Sequence, residues 1–519
     1  MATPHVFVTM GNLLNFKCDA WLLPTDAQLQ VDTIWTEALP ELVSPIAATD
    51  PGPFAREDEL AVPLSKWPAD EPLPVLTAVP LKGVKSAEDL RPRFRAFLNA
   101  AAAAMQHRPS SRPLPLLGVP FFGTGHGAGG IYRGDILRVL LDEANEGSTE
   151  LGVDIAFVFQ DPAAYSLAQQ QRRGNAAGSW SGLSDRLQNH AAQLAKGASR
   201  GRIVPFMGSG VSVSAGAPDW QGLLEIIRDT ANLSAELGPS LEKLPELDQA
   251  GIMKSLYESK PGNKVPFGKL VADAVDVKRY GLAPALLSGL ASDAAITLNY
   301  DRLFEMASED AGTPRTVIPD DISADSGRWL LKLHGSVVNP ESIVLTRDDY
   351  LGYNTNREAL SSMVKAHLLT HHLLFVGFGL KDPHFHEIIF AVRRAIPAGQ
   401  QAGFGTVLTL LEDELQNTIW KDQLEIVPMA EPDEESTEED AARRLEIFLD
   451  MLSALASDSH SFFLAPHYSG GMTDDELELR HQLLELANSQ QAKKGSSSWR
   501  VLEKSLITMG WHPGIQYSD

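Results

Sequence analysis

Residues 203–219 read IVPFMGSGVSVSAGAPD, five apolar residues followed by a loop rich in glycine and serine. The apolar run 203–207 predicts a buried strand. Gly208, Gly210 and Gly216 permit positive φ angles and let a ligand approach the main chain. A helix is predicted to begin near Asp219, and free loop amides before a helix N-terminus favour a pyrophosphate. The stretch therefore predicts an α/β domain with a nucleotide site.

The loop does not identify the nucleotide. GSGVSVSAG is neither G-x-G-x-x-G nor a P-loop, because no GK[ST] follows it. The missing lysine argues against triphosphate hydrolysis. Other segments have to define the ligand.

Length and composition set the broad class. A chain of 519 residues with 44% hydrophobic and 21% charged residues is typical of a globular protein with two or three domains. The net charge of −23 argues against a nucleic-acid surface. We find neither an apolar run long enough to span a bilayer nor a secretory signal, so we expect a cytoplasmic protein without a membrane partner. The acidic run 431–440 is interpreted as a solvated loop with Thr437 capping the next helix.

The chain has one cysteine, Cys18, so it has no internal disulfide framework and no zinc site built from several of its own cysteines. Cys18 precedes the apolar run AWLLP, which favours a buried structural thiol over a nucleophile.

Strand and helix patterns divide the chain into a smaller α/β domain at 1–166, a linker at 167–182, a second α/β domain at 183–456 and a helical extension at 457–519. The predicted strands of the first domain are 5–10, 19–25, 74–81, 113–122 and 153–160, with helices at 86–107 and 134–145. Those of the second are 203–207, 294–300, 328–334, 342–346, 372–379, 405–411 and 425–429, with helices at 183–198 and 441–456. Near-continuous apolar strands separated by helices predict a Rossmann-like parallel sheet covered on both faces.

Polar residues follow two of these strands. TLNYD places Thr297, Asn299 and Asp301 at one strand end, and LKLHGS places His334 and Gly335 at another. Ligands of parallel α/β sheets bind at the carboxyl ends of the strands, so these residues can converge. An amide can orient a water or a ribose hydroxyl, and an imidazole can act as a general base. A helix-capping Asn and a backbone-paired His are the structural alternatives.

A third strand runs into LLFVGFGLKDPHF at 373–385. Gly377 and Gly379 admit a second part of the nucleotide, the adenosine half. Asp382 is predicted to cap a helix that begins at Pro383.

These segments, in this order, resemble the sirtuin-like NAD-binding fold, and more specifically its defence-associated branch, which hydrolyses NAD+. The loop usually reads GAGVS in that family, and here Ser209 replaces the alanine. The resemblance implies that Asn299 and His334 are the catalytic pair and that Asp301 supports the ribose site. The predicted NAD+ contacts are Gly208, Ser209, Gly210, Val211, Ser212, Asp219, Thr297, Asp301, Gly335, Gly377, Gly379 and Asp382.

The family also contains deacylases, which carry a zinc ribbon with four cysteines. A chain with one cysteine cannot build that ribbon, so the expected activity is NAD+ hydrolysis to nicotinamide and ADP-ribose, without a metal, as an effector of antiphage defence by abortive infection. The alternatives are a protein deacylase or ADP-ribosyltransferase, and a non-catalytic NAD-binding subunit of a defence complex.

The first domain has its own glycine loop, VPFFGTGHGAGG at 119–130, and a strand with a polar turn, CDAWLLPTD at 18–26. The pair is similar to macro domains, whose loops grip ADP-ribose, which implies a sensor for an ADP-ribose-type signal. A domain that only mediates assembly is the alternative, and His126 is read as a turn residue. The family likeness also implies a homo-oligomer or a partner defence protein such as an ATPase.

Overall fold

The computed structural model describes residues 2–108, 110–125, 129–232, 238–260, 264–321, 327–397, 403–432, 436–457, 459–489 and 496–513, and of residues 238, 239 and 354–356 only the backbone. The strands are β1 Val6–Met10, β2 Ala20–Thr25, β3 Ala61–Pro63, β4 Leu73–Ala78, β5 Leu116–Pro120, β6 Asp154–Phe159, β7 Ile203–Met207, β8 Ala294–Thr297, β9 Thr316–Ile318, β10 Trp329–Lys332, β11 His372–Val376, β12 Gly405–Thr409 and β13 Leu424–Pro428.

The α-helices are α1 Thr33–Ala38, α2 Val43–Ala47, α3 Gly52–Ala55, α4 Arg91–Met105, α5 Arg133–Leu151, α6 Pro162–Gly174, α7 Ala176–Ser179, α8 Asp185–Ala198, α9 Trp220–Thr230, α10 Gly238–Leu241, α11 Glu246–Ser259, α12 Phe267–Val275, α13 Leu282–Ser288, α14 Leu303–Asp310, α15 Arg347–Leu351, α16 Tyr353–Thr370, α17 Pro383–Ala395, α18 Glu414–Trp420, α19 Glu438–Ala456, α20 Asp474–Asn488 and α21 Ser497–Thr508. Within the described residues, none of these helices is both long enough and apolar enough to cross a membrane.

The chain forms two compact units. The first combines Met1–Ala192 with Asp450–Asp519, and the second is Gln193–Leu449. The units divide between residues 192 and 193 and between residues 449 and 450, so the terminal segment 457–519 falls in the first unit. Its Phe462, Leu464, Trp499 and Trp511 lie in the same apolar core as β1 and α4.

The second unit contains the parallel sheet that the apolar strands predict. Its order is β13-β12-β11-β7-β8-β10-β9, and the neighbouring strands pair in parallel. β7, β8 and nearly all of β11 are buried, as expected for strands covered on both faces. From β7 the chain adds strands on one side through β8, then returns to the other side at β11. The β7–β11 pair is therefore the topological switch point, where ligands of such sheets bind.

The first unit has a smaller sheet of order β1-β6-β5-β2-β4-β3. Its pairings are parallel except for the short edge strand β3, which runs antiparallel to β4. Cys18 is buried, as its position before an apolar run predicts.

One predicted strand, 342–346, is wrong. Ile343 and Thr346 have extended backbone angles, but residues 343–346 do not join the sheet. The Val344 amide donates to the His334 carbonyl at 2.9 Å, and the Tyr300 hydroxyl donates to the Val344 carbonyl at 2.8 Å. Val344 and Leu345 are buried, and Leu345 packs in a core cluster with apolar side chains of α9, α11 and α12. Periodicity cannot distinguish such burial from burial in a sheet.

The predicted linker at 167–182 is instead largely helical. Helix α6 and the short α7 cover most of it, and Leu167, Gln169 and Arg172 are buried. The segment resembles a linker in composition because two of its buried side chains, Gln169 and Arg172, are polar. Arg172 donates to Asp450 and to Gln169, so its charge is paired inside the unit.

Two further segments lie partly outside the described residues. Of the acidic run 431–440, residues 433–435 are not described, but the predicted cap is present, since the Asp440 amide donates to Thr437 Oγ1 at 3.2 Å. In the glycine loop of the first unit, residues 126–128, including His126, are also outside the description.

Candidate active site

The glycine loop that follows β7 forms two short 3-10 turns, Ser209–Val211 and Val213–Ala215. Its amides are largely used inside the protein. The Gly208 and Gly210 amides each donate at 3.0 Å to the carbonyls of Val376 and Gly377. The amides of Val211 and Ser212 donate to carbonyls within the loop. The expectation of free amides for a pyrophosphate is therefore wrong for these four residues.

The glycines have a packing role that the sequence did not reveal. A Cβ on Gly208 would lie 2.4 Å from the Gly377 carbonyl oxygen, and a Cβ on Gly377 would lie 2.4 Å from the Val211 nitrogen. Gly377 also has a φ of 61°, in the left-handed region. Glycine is needed here because the loops after β7 and β11 touch backbone to backbone at the switch point.

Two other predicted NAD+ contacts differ in their surroundings. The Asp219 carboxylate accepts from the Gly222 amide at 2.7 Å, so it caps α9. Gly379 faces open space, because an ideal Cβ there would meet no heavy atom of the described chain within 4 Å.

Asn299 and Asp301 meet the glycine loop at Ser212. The Asn299 Nδ2 group donates to Ser212 Oγ at 3.0 Å, and that hydroxyl donates to Asp301 Oδ2 at 2.8 Å. Thr297 Oγ1 accepts from the Asn299 amide at 3.0 Å, which fixes the turn after β8. Of the predicted residues, the structure thus brings Ser212, Thr297, Asn299 and Asp301 into one network.

The amide oxygen of Asn299 stands apart from this network. Asn299 Oδ1 is buried and has no hydrogen-bond partner among the described residues. Asn299 lines a cavity of about 10 Å³ together with residues that include Ser212, Asp301 and Glu305. That volume is close to the minimum for one water molecule.

Lys332 holds the turn that carries Asn299. Its ammonium group is fully buried and donates to Glu305 Oε1 at 2.6 Å and to the Asp301 carbonyl. A buried ion pair of this kind needs such additional hydrogen bonds to offset its desolvation. Sequence reasoning missed Lys332 and Glu305, although a lysine inside the apolar strand LLKLH was a usable signal.

His334 follows β10 at the start of a tight turn. Gly335 has a φ of 91°, and a Cβ there would lie 2.3 Å from the Ser342 carbonyl oxygen. Gly335 therefore has a conformational role. The Val344 amide donates to the His334 carbonyl, so the turn is fixed from both sides.

The His334 imidazole is 3% exposed. Its Nδ1 lies 3.5 Å from the Tyr350 hydroxyl, which donates to Asp382 Oδ2 at 2.7 Å. The other ring nitrogen, Nε2, lies 3.7 Å from Asp382 Oδ2 and has no hydrogen-bond partner among the described residues. Asp382 also caps α17 through the Phe385 amide at 2.8 Å, as the DP dipeptide predicts.

Burial sets the protonation states here. It lowers the pKa of His334, against the opposing effect of Asp382, so the ring is neutral near pH 7. Burial, followed by the charge of Asp382, raises the pKa of Tyr350, which keeps its hydroxyl a donor. A neutral imidazole with a free ring nitrogen can accept a proton.

A second histidine adjoins this group. The His384 ring lies 6.2 Å from that of His334, and its Nε2 is 2.8 Å from Ser361 Oγ. Burial, with the nearby His334, lowers the pKa of His384 to about 4. Ligand atoms of His334, Asp382 and His384 all lie within 4.8 Å of one another. Sequence reasoning missed Tyr350 and His384, and only the histidine two residues after Asp382 offered a signal.

Asn299 and His334 occupy equivalent positions on neighbouring strands. Thr297 pairs with Lys332 in the parallel β8–β10 register, and each candidate side chain comes two residues later. Their partners differ, because Asn299 bonds to Ser212 whereas His334 faces Tyr350 and Asp382. What they share is one buried, unpaired polar atom each.

Residues 293–428 match the family described as "SIR2-like domain". The predicted resemblance to sirtuin-like proteins is therefore confirmed for this part of the chain, which carries β8–β13.

The names of several similar proteins indicate the defence-associated branch. The chain is similar to "Defense-associated sirtuin 2" of Bacillus subtilis, at 28% identity over 221 residues, which cover 39% of this chain and 20% of that protein. It is similar to "NAD(+) hydrolase ThsA" of Bacillus cereus (strain MSX-D12), at 28% identity over 205 residues, 38% of this chain and 41% of the relative. The enzyme of that name in Enterococcus faecium is 25% identical over 221 residues, 41% of this chain and 45% of the relative. The chain thus spans less than half the length of these relatives.

Proposed function

We propose that this protein is an NAD+ hydrolase that releases nicotinamide and ADP-ribose. The observation that carries the proposal is the pair of buried, unpaired atoms, Asn299 Oδ1 and His334 Nε2, at equivalent positions after adjacent strands. Buried polar atoms normally have partners, so an unpaired one calls for an explanation such as a catalytic role or a ligand that supplies the partner. The relatives named NAD(+) hydrolase supply the ligand class.

In the proposed reaction, the bond between nicotinamide nitrogen and the ribose C1′ breaks through an oxocarbenium-like state. The bonding electron pair returns to the pyridinium nitrogen, so the leaving group needs no general acid. The oxygen of a water molecule then bonds to C1′, and its proton passes to a base. The products are nicotinamide and ADP-ribose.

Each residue has a defined part in this scheme. Asn299 Oδ1 accepts a hydrogen bond from the attacking water, and the small cavity beside Ser212 and Asp301 has about the volume for it. His334 Nε2 accepts a proton from that water or from a ribose hydroxyl. Asp301, already tied to Ser212, supports the ribose end.

The glycine loop has a different role from the one its sequence suggests. Since the amides of Gly208 and Gly210 bond to the β11 loop, the dinucleotide is expected to contact the rim that the two loops form together. Gly379, with open space on its Cβ side, is the glycine best suited to a close approach by the adenosine half.

Incubation of the purified chain with NAD+, followed by chromatography of nicotinamide, tests the proposal. Release of nicotinamide together with ADP-ribose supports hydrolysis. NAD+ binding without turnover would favour the non-catalytic subunit. ADP-ribose transferred to protein, or acyl groups lost from it, would favour the transferase or the deacylase, and mass spectrometry detects both.

The physiological role belongs to the same proposal. A protein similar to a defence-associated sirtuin is expected to deplete NAD+ during phage infection, in the cytoplasm, either as a homo-oligomer or with a partner defence protein such as an ATPase. An unregulated hydrolase would kill its own cell, so a gate is required.

The first unit is the proposed sensor of an ADP-ribose-type signal. Its strands β2 and β5 are parallel neighbours, so the polar turn after residue 25 and the glycine loop after residue 120 leave the sheet at the same edge. Gly123 has a φ of 81°, and its carbonyl accepts from the Gly129 amide at 3.2 Å. Calorimetry with ADP-ribose and its cyclic isomers, using the full chain, tests this role, and an absence of heat would leave assembly as the function of the unit.

A further inference from the structure

We propose that His334, Asp382 and His384 form a binding site for a divalent transition metal of the zinc type, and that metal bound there blocks the proposed hydrolase by occupying His334. Nothing in the sequence patterns or in the relatives assigns a metal to these residues. The regulatory half of the inference rests on the proposed function, whereas the binding half does not.

The donor set fits such an ion. Two imidazoles and a carboxylate are typical protein ligands of Zn²⁺, at about 2.0–2.2 Å from the metal. Tetrahedral geometry at those bond lengths places ligand atoms about 3.4 Å apart. The separation between His334 Nε2 and Asp382 Oδ2 is 3.7 Å, and all three ligand atoms lie within 4.8 Å of one another. Small side-chain movements therefore suffice to close the site.

The two histidines offer unpaired nitrogens. His334 and His384 are each 3% exposed, and His334 Nε2 and His384 Nδ1 are buried without a hydrogen-bond partner among the described residues.

Neighbouring groups orient the ligands as they do in metal sites. Ser361 Oγ lies 2.8 Å from His384 Nε2, which leaves Nδ1 as the nitrogen directed away from that bond. The Tyr350 hydroxyl donates to Asp382 Oδ2, and the Phe385 amide holds the other carboxylate oxygen. Such outer partners fix the ring tautomer and raise ligand basicity.

Occupancy would be incompatible with the proposed catalysis. His334 has one unpaired ring nitrogen, and the same lone pair cannot hold a metal and accept a proton. The site would therefore act as an inhibitory one, and chelation would restore the reaction.

Isothermal titration of the chelator-treated full chain with Zn²⁺ tests the site directly. We expect one zinc ion per chain, with the affinity reduced about tenfold or more in His384→Gln, and in Ser361→Ala, which leaves all three ligands present. His371→Gln is the matched control, because His371 stacks on His367 at 5.0 Å, outside the proposed site, and tests zinc binding to other histidines. Thermal unfolding without zinc establishes that each variant is folded.

The outcomes separate the site from the function. Absence of saturable zinc binding by the wild-type chain, or zinc binding weakened by His371→Gln and unaffected by both His384→Gln and Ser361→Ala, overturns the site. If the wild-type chain never releases nicotinamide, the proposed function fails while the titration still decides the site. If it does, zinc should inhibit the wild type and not His384→Gln, and equal inhibition of both would overturn the regulatory role.

Discussion

Each unit of the molecule contains a buried polar cluster, and the two clusters differ in how completely their atoms are paired. In the first unit the Asp450 carboxylate is fully buried and accepts hydrogen bonds from His5, Val8, Arg172 and Trp180. In the second unit the corresponding group around Asn299, His334 and His384 has three buried polar atoms unpaired within the described residues, namely Asn299 Oδ1, His334 Nε2 and His384 Nδ1.

This difference distinguishes buried polar groups that stabilise the fold from buried polar groups that form a functional site. A saturated network in a low-dielectric interior stabilises one conformation, since each removal would leave a charge or a donor unpaired. An unsaturated network costs stability unless something else supplies the missing partners. We therefore interpret the Asp450 cluster as a stabilising part of the fold and the second cluster as a functional site.

The largest expected effect concerns the unpaired nitrogen of His334. His334→Ala should reduce nicotinamide release by about 10²–10⁴-fold, because a positioned base is lost, while thermal unfolding changes little. Asn299→Ala should act in the same direction. His371→Ala, a histidine outside the cluster, is the control. Wild-type turnover in both active-site variants would contradict the interpretation of the second cluster as a catalytic site.

The saturated cluster should respond in stability. Asp450→Asn leaves the buried Arg172 without its counter-charge and should lower the free energy of unfolding by about 3–5 kcal/mol. Chemical denaturation followed by circular dichroism measures this change. A loss below about 1 kcal/mol would mean that Asp450 does not hold the first unit together.

Gly377 and Gly379 can be compared directly, because Gly377 is expected to serve the structure and Gly379 to contact the ligand. Gly377→Ala places a Cβ against the Val211 amide at a φ of 61° and should cost about 1–2 kcal/mol of stability or more. Gly379→Ala meets open space and should leave stability unchanged while raising the KM for NAD+. Equal melting temperatures for the two variants would contradict the backbone contact between the loops.

Tyr350 is predicted to position His334 through Asp382. Tyr350→Phe removes a hydrogen bond to a carboxylate, worth about 1.5 kcal/mol, and should lower kcat roughly tenfold with little change in KM. The acid limb of the pH profile should move as well. Burial lowers the pKa of His334 and the charge of Asp382 opposes that shift, so losing the hydrogen bond from Tyr350 to Asp382 changes the balance. An unchanged profile with a lowered melting temperature would reveal a purely structural tyrosine.

The smallest effect is the pH dependence of the wild type. Because burial lowers the pKa of His334, the neutral ring needed as a base persists below pH 6.5. Nicotinamide release should therefore stay near its plateau at pH 6.5 and fall only as the pH drops through that lowered pKa. A midpoint above pH 6.5 would show that another group controls the acid limb.

Much of the second unit could be predicted from its sequence. β7 was predicted to the residue, and β8, β10, β11, β12 and β13 were found within a few positions, because strands buried on both faces appear as continuous apolar runs. The cap at Asp382 followed from local helix chemistry, whereas Asp219, predicted as an NAD+ contact, proved to cap α9. Segments 33–55 and 316–318, with weak periodicity, contain short helices and β9 that were missed.

The sequence by itself determined the strands, the helix caps and the presence of Asn299 and His334 at strand ends, because these depend on residues close in the chain. Only the tertiary structure decided that the amides of Gly208 and Gly210 bond to β11 and that Tyr350 and His384 stand beside His334. It also decided that 457–519 packs with the first unit. These features depend on which strands become neighbours, and hydrogen bonds between distant segments leave no local pattern in the chain.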